Sequence, residues 1–206
     1  MTFPDMKYAT IGAFADDYYA HLARAAASVD RTKLGKAAKL LADGYIRGAT
    51  LYVCGNGGSA CISDSFVCDH AKLIQTDTQV KPKVISLASN VAMLTAIGND
   101  ISYDDIFVYP LQTSAQAGDM LLTVSASGNS ENVVRALQWG ADNGLQSVSF
   151  TGFEGGRSAK LADVNLHVEG DNYGVIEDTH QSLMHILAQY IRLELMDEAL
   201  VTQRKF

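Results

Sequence analysis

The chain has 206 residues, 48% of them apolar, with three prolines and no long polar tract, so it can bury a full core and is expected to form one domain over 1–206. A net charge of −7, with Lys and Arg spread along the sequence, argues against direct nucleic-acid binding, because phosphate-backbone binders carry a basic patch. No apolar run reaches the ~18 residues of a membrane span and no signal peptide is read at the start, which places the chain in the cytoplasm, away from membranes.

In chain order, helical apolar spacing runs from about Phe14 to Ala27 and from Arg31 to Arg47, an N-terminal helical pair within residues 1–48. From residue 49 onward strands and helices alternate. Strands are expected at Thr50 to Cys54, Lys83 to Leu87, Met120 to Val124, Ser147 to Thr151 and Val164 to Val168. Helices are expected near Ser59 to Ile74, Val91 to Ile97, Ile106 to Ala115, Glu131 to Asn143 and Ile176 to Leu200. Short strands rich in Val, Ile and Leu, each followed by a helix, call for a parallel sheet covered on both faces. Right-handed crossovers then give an α/β, doubly wound, flavodoxin-like sandwich of five strands over 49–206. The three cysteines, Cys54, Cys61 and Cys68, lack paired CxxC spacing and read as reduced, small buried residues.

Two turns carry the chemistry. Gly55-Asn56-Gly57-Gly58-Ser59 follows the first strand, and Ser125-Ala126-Ser127-Gly128-Asn129-Ser130 follows the third. A strand that turns through small residues into a helix aims unpaired N–H groups, hydroxyls and the positive end of a helix dipole at one point, which suits a phosphate. Ser130 stands where an N-cap is expected before the helix that Glu131 begins. Gly55-x-Gly57-x-x-Ala60 formally fits a dinucleotide fingerprint. The second strand, however, ends at Leu87-Ala88-Ser89-Asn90 with no carboxylate for a ribose, and no Lys follows the glycines, so no nucleotide cofactor is expected.

Gly55-Asn56-Gly57-Gly58-Ser59-Ala60, Gly98-Asn99-Asp100, Ala117-Gly118-Asp119-Met120-Leu121-Leu122, the serine loop and Thr151-Gly152-Phe153-Glu154-Gly155-Gly156 together resemble the sugar isomerase (SIS) family, in particular its phosphoheptose isomerase branch. The resemblance covers nearly the whole chain. It implies that Ser125, Ala126, Ser127 and Ser130 bind a sugar phosphate, and that Asn56, Gly57, Gly58 and Ser59 with Asn99 and Asp100 line the sugar. Ala126 replaces a threonine of the family loop. Family isomerases carry a His and a Glu four residues apart on the helix after the glycine turn, and a Gln and a His eight apart on the last helix. The matching residues here are Ser65, Asp69, Glu177 and His185, so only His185 is unchanged.

With Ser65 a poor ligand, zinc binding is expected to be weakened or absent, with Asp69, Glu177 and His185 left as a three-ligand set. Aldose–ketose interconversion needs a base near carbon and an acid near oxygen. Asp69 and His185 are the expected acid–base pair, with Glu177 a second carboxylate beside the sugar. Asp69 is one methylene shorter than the family Glu, and a misplacement of about that size can cost ~100-fold in rate. Cys68 and His70 flank Asp69 but point about 100° away on a helix, so neither is expected as a ligand. His180, one turn after Glu177, is expected to wall the cleft or orient Glu177, and Trp139 to pack.

The resemblance thus implies an isomerase acting on sedoheptulose 7-phosphate to give D-glycero-D-manno-heptose 7-phosphate, assembled as a homotetramer with clefts built from more than one chain; the N-terminal helices and the long Ile176 to Leu200 helix, with its apolar Leu187, Ile191 and Leu195, are expected to supply the surface for that assembly. Two alternatives stay open. One is a non-catalytic sugar-phosphate-binding regulator or adaptor, like the family's relative that associates with a bacterial replication initiator. The other is an isomerase or epimerase of a different sugar phosphate.

Overall fold

The computed structural model describes residues 3–206. Five parallel strands form one sheet in the order β2-β1-β3-β4-β5, with β1 Thr50–Gly55, β2 Lys83–Ser86, β3 Met120–Ser125, β4 Gln146–Thr151 and β5 Val164–His167. Alternation along each strand feeds two cores. Leu51, Val53, Met120, Leu122, Val148 and Phe150 face one side, where α1 (Ile11–Ser28), α2 (Arg31–Ile46), α3 (Gly58–Phe66) and α9 (Tyr173–Leu195) pack. Tyr52, Cys54 and Leu121 face the other, covered by α5 (Val91–Asp100), α6 (Val108–Ser114) and α7 (Glu131–Asp142). Each fully enclosed strand Leu contributes about 1.5–3 kcal/mol, so the doubly covered sheet is the main store of stability.

One face of the N-terminal helical pair packs on the chain's own sheet. Ala37, Leu41 and Tyr45 of α2 are buried in the chain's own core, and Asp30 caps α2 by accepting from Thr32 and Lys33 N–H groups at 2.8 and 3.1 Å.

The long helix expected from Ile176 to Leu200 starts earlier and stops earlier. Asn172 caps its start through the Val175 N–H, and Met196 is extended (φ −88°, ψ 160°). Asp197 then caps a separate turn, α10 (Glu198–Val201). The helix expected from Ser59 to Ile74 changes character midway. After α3 the chain passes through a π-helical segment, Val67–Leu73, before the short α4 (Ile74–Thr76). The short α8 (Ser158–Leu161) had no signal in the sequence pattern. Of the cysteines only Cys54 is buried; Cys61 and Cys68 lie exposed on the outer side of α3 and the π segment, contrary to the sequence reading. Among the described residues no helix is long and apolar enough to cross a membrane.

Two imidazoles sit fully inside, His70 and His180 (each 0% exposed). Burial pushes them down, to about 3 and about 4 respectively. In the unfolded chain a histidine titrates near ~6.5, so below that pH the unfolded chain binds protons that the fold refuses. Stability present above pH ~6.5 is therefore lost progressively toward pH ~4. The unfolding free energy from urea titration should be lower at pH 5 than at pH 7, by up to about 2 kcal/mol for each buried histidine, with the midpoint falling accordingly. Equal midpoints at the two pH values would contradict the enclosed, neutral state of these rings.

Candidate active site

β1 and β3 are neighbours, with Gly55 beside Val124, so the glycine turn and the serine loop leave the same carboxyl edge where the strand order reverses. Between them lies a cleft of about 160 Å³ lined by Asn56, Ser59, Ser125, Ala126, Ser127, Ser130, Tyr173 and Glu177. The sequence-predicted phosphate residues and Glu177 are thus brought together. Close approach is bought with glycine: a Cβ on Gly58 would lie 2.5 Å from Glu177 Oε2, and one on Gly128 (φ +62°) would lie 2.0 Å from the Gly155 carbonyl. Gly128 therefore lets the 152–156 turn clamp the serine loop from behind, with the Gly152 N–H on the Ala126 carbonyl at 2.8 Å.

The hydroxyls of the loop have different jobs. Ser125 Oγ accepts from the Gly128 N–H at 3.2 Å and Ser127 Oγ from the Asn129 N–H at 3.3 Å, which shapes the loop locally. Ser130 occupies the N-cap position of α7, but its hydroxyl makes no capping bond, a correction to the sequence reading. Its φ and ψ (−58°, 121°) are the non-helical values of an N-cap residue, and Ser130 lines the cleft. Burial, then the charge of Asp178, pushes the Glu177 carboxyl above its ordinary value, which eases protonation beside an anion.

Asn56 joins the two turns. Its amide and that of Asn132 bond reciprocally at 2.9 and 3.0 Å, and Tyr103 donates to Asn56 Oδ1 at 3.2 Å. On the far side of Asn56, Gly57 and Asn99 line a second cavity of about 470 Å³ with Tyr103. Asn99 and Asp100 are exposed at the end of α5 and bonded to each other at 2.7 Å, so within one chain they stand outside the serine cleft. A larger cavity of about 850 Å³, walled by His21, Arg24, Phe153 and His167, contains none of the expected site residues.

The expected acid–base pair is assembled. His185 Nδ1 lies 2.6 Å from Asp69 Oδ2, joining α9 to the π segment. The Gln181 amide, one turn earlier on α9, sits 3.1 Å from His185 Nε2. Donation from that amide leaves Nδ1 as the protonated nitrogen facing the carboxylate. The pair is open, His185 46% and Asp69 23% exposed in their side chains.

The three-ligand metal set is not assembled within one chain. Among the described residues no three His, Cys, Asp or Glu side chains are placed to hold a metal ion. Glu177 faces the serine cleft, eight residues and about 12 Å of helix rise from His185, while Asp69 and His185 are engaged with each other. Glu177, expected as a second carboxylate beside the sugar, stands at the serine cleft and not beside Asp69. His180 does not orient Glu177 either; it lies buried, with Nε2 3.2 Å from the Thr151 carbonyl. Gln181, Asn132, Tyr103 and Tyr173 were missed from sequence. Only Gln181 left a signal there, its i, i+4 spacing to His185.

A family model for the SIS domain matches residues 14–152. The chain is 36% identical over 162 residues to phosphoheptose isomerase of Aliarcobacter butzleri, covering 79% of this chain and 85% of that protein. It belongs to the SIS family, phosphoheptose isomerase branch. A second SIS relative, phosphoheptose isomerase of Escherichia fergusonii, is 35% identical over 162 residues, 78% of this chain and 83% of its own. The structure of phosphoheptose isomerase GmhA from Neisseria gonorrhoeae matches with a TM-score of 0.81 at 28% identity, over 88% of this chain and 98% of that one. The SIS fold and the serine loop at its carboxyl edge are therefore those expected from the motifs.

Because Ser130 lines the cleft and its hydroxyl caps nothing, Ser130→Ala should weaken binding of a sugar phosphate by about 0.5–2 kcal/mol. The unfolding free energy should stay within about 0.5 kcal/mol of wild type. Calorimetric titration and urea unfolding check both; unchanged affinity would remove Ser130 from the site.

Proposed function

We propose that the chain interconverts sedoheptulose 7-phosphate and D-glycero-D-manno-heptose 7-phosphate. The observation that carries this is the Asp69–His185 contact of 2.6 Å, displaced along α9 from the serine cleft. A 7-phosphate heptulose has its phosphate at one end of the carbon chain and its reacting carbons at the other. A phosphate anchor and an acid–base pair about 12 Å of helix apart, eight residues along α9, suit such an extended substrate. The phosphoheptose isomerase relatives support the same reading.

The chemistry follows from these groups. The serine loop, with Ser125, Ala126, Ser127 and Ser130, holds the phosphate, and Glu177 closes that end of the cleft. Asp69 takes the proton from C1 of the ketose, forming an enediol, and returns it to C2. His185 moves the second proton between the C1 and C2 oxygens, from O1 to O2 as the new carbonyl forms. Zinc binding is weak, because Ser65 stands where the resemblance places a histidine ligand and the remaining donors are not gathered; no step here runs through a metal.

The acting form is a homotetramer in which a neighbouring copy closes over the exposed Asp69–His185 pair. Leu187 and Ile191, expected at the interface, are instead buried in the chain's own core, but α9 leaves Ile186, Tyr190 and Leu193 exposed at 48%, 49% and 41%, beside a groove of about 510 Å³ between α2 and α9, which supports assembly. Light scattering at micromolar concentration should give four chains per particle; a monomer would contradict the assembly. The working compartment is the cytoplasm.

The direct test of function is an assay of the purified protein on sedoheptulose 7-phosphate, with and without added zinc. Formation of the heptose 7-phosphate is expected in both. Measurable binding with no turnover on any heptulose or hexulose phosphate would replace the isomerase with a sugar-phosphate-binding regulator.

A further inference from the structure

His70 takes no part in the chemistry above, yet it is fully enclosed and both of its ring nitrogens are engaged. Nδ1 lies 2.8 Å from the Tyr45 hydroxyl of α2, and Nε2 lies 3.4 Å from the Met184 carbonyl of α9. The carbonyl can only accept, so Nε2 carries the proton, Nδ1 is bare, and the Tyr45 hydroxyl donates to it. The ring also stacks on Phe66, centroids 4.4 Å apart. Tyr45 itself is 2% exposed.

The positions of these two bonds matter more than their number. His70 follows Asp69 in the chain, and Met184 precedes His185. The Asp69–His185 contact on the open side and the His70–Met184 contact on the buried side therefore close a loop across the π segment and α9. An apolar side chain would fill the same volume without the desolvation of two ring nitrogens, so what the imidazole adds is a fixed geometry. We propose that Tyr45 and His70 form a buried positioning pair, fixing the π segment against α9 so that Asp69 stays in register with His185. The proposal rests on the reading of Asp69 and His185 as the acid–base pair. Displacement of about 1 Å at a reacting group costs up to ~100-fold in rate, and the short side chain of Asp69 leaves little slack.

The test is steady-state kinetics on sedoheptulose 7-phosphate with the full-length chain, comparing His70→Leu, His70→Gln and Tyr45→Phe, with His185→Ala as reference. His70→Leu should lower kcat about 10-fold or more with KM within about twofold, since the phosphate anchor is untouched. His70→Gln, whose amide nitrogen reaches the place of Nε2, should recover most of that loss. Tyr45→Phe, which removes one oxygen, should fall between wild type and His70→Leu. Unchanged kcat in His70→Leu and Tyr45→Phe, or a His70→Gln no better than His70→Leu, overturns the positioning role while leaving the acid–base pair intact. Full turnover in His185→Ala overturns the pair and the proposal with it. Should His70→Leu fail to fold, Tyr45→Phe decides, together with imidazole ¹⁵N shifts of the wild-type protein: a Nε2-protonated neutral His70 is expected, and a Nδ1-protonated ring overturns the arrangement.

Discussion

Parallel pairing of β1 with β3, with Gly55 beside Val124, sends two strand-to-helix turns off the same sheet edge at the point where strand order reverses. Remove that register and neither turn has a partner: the serine loop loses the wall formed by Asn56 and Ser59, and Glu177 loses the glycine it lies against. A slip of one residue would also turn Leu51 and Val53 toward the opposite helical layer, so the core that stabilises the sheet fixes the register of the site as well. The interlocked amides of Asn56 and Asn132 then tie the two turns to each other.

In the proposed mechanism, proton transfer is arranged separately from anchoring. Asp69 reaches His185 from a π-helical turn, a local widening that re-aims every side chain relative to a regular helix and that recurs at functional sites. From that turn the short Asp69 side chain meets His185 Nδ1 at 2.6 Å. Glu177, by contrast, belongs with the anchor. It lines the serine cleft, eight residues along α9 from His185.

Much of this was legible in the sequence because it is local. Glycines and serines between an apolar run and a helical pattern announce strand-to-helix turns, and five such runs separated by helical patterns give the sheet. Asp69 and His185 were found through the resemblance, and their meeting needed the fold. What the sequence hid is tertiary or depends on one torsion. Nothing in Val67 to Leu73 marks a π turn, because a π-helix differs from an α-helix only in that its hydrogen bonds span one residue more. Ser130 stands at the N-cap position without making the bond, and it lines the cleft. The break of the last helix before Asp197 was hidden by continuing apolar spacing. It coincides with an enclosed ion pair, Arg192 with Asp77, joined by Arg204 from the end of the chain.

The central claim is that the serine cleft binds and the Asp69–His185 pair reacts, each without the other. It is tested most directly by measuring kcat and the calorimetric Kd for sedoheptulose 7-phosphate on the same preparation of Asp69→Asn. The account predicts a loss of turnover of about 100-fold or more with Kd within about twofold of wild type. Undiminished turnover in that variant would contradict it.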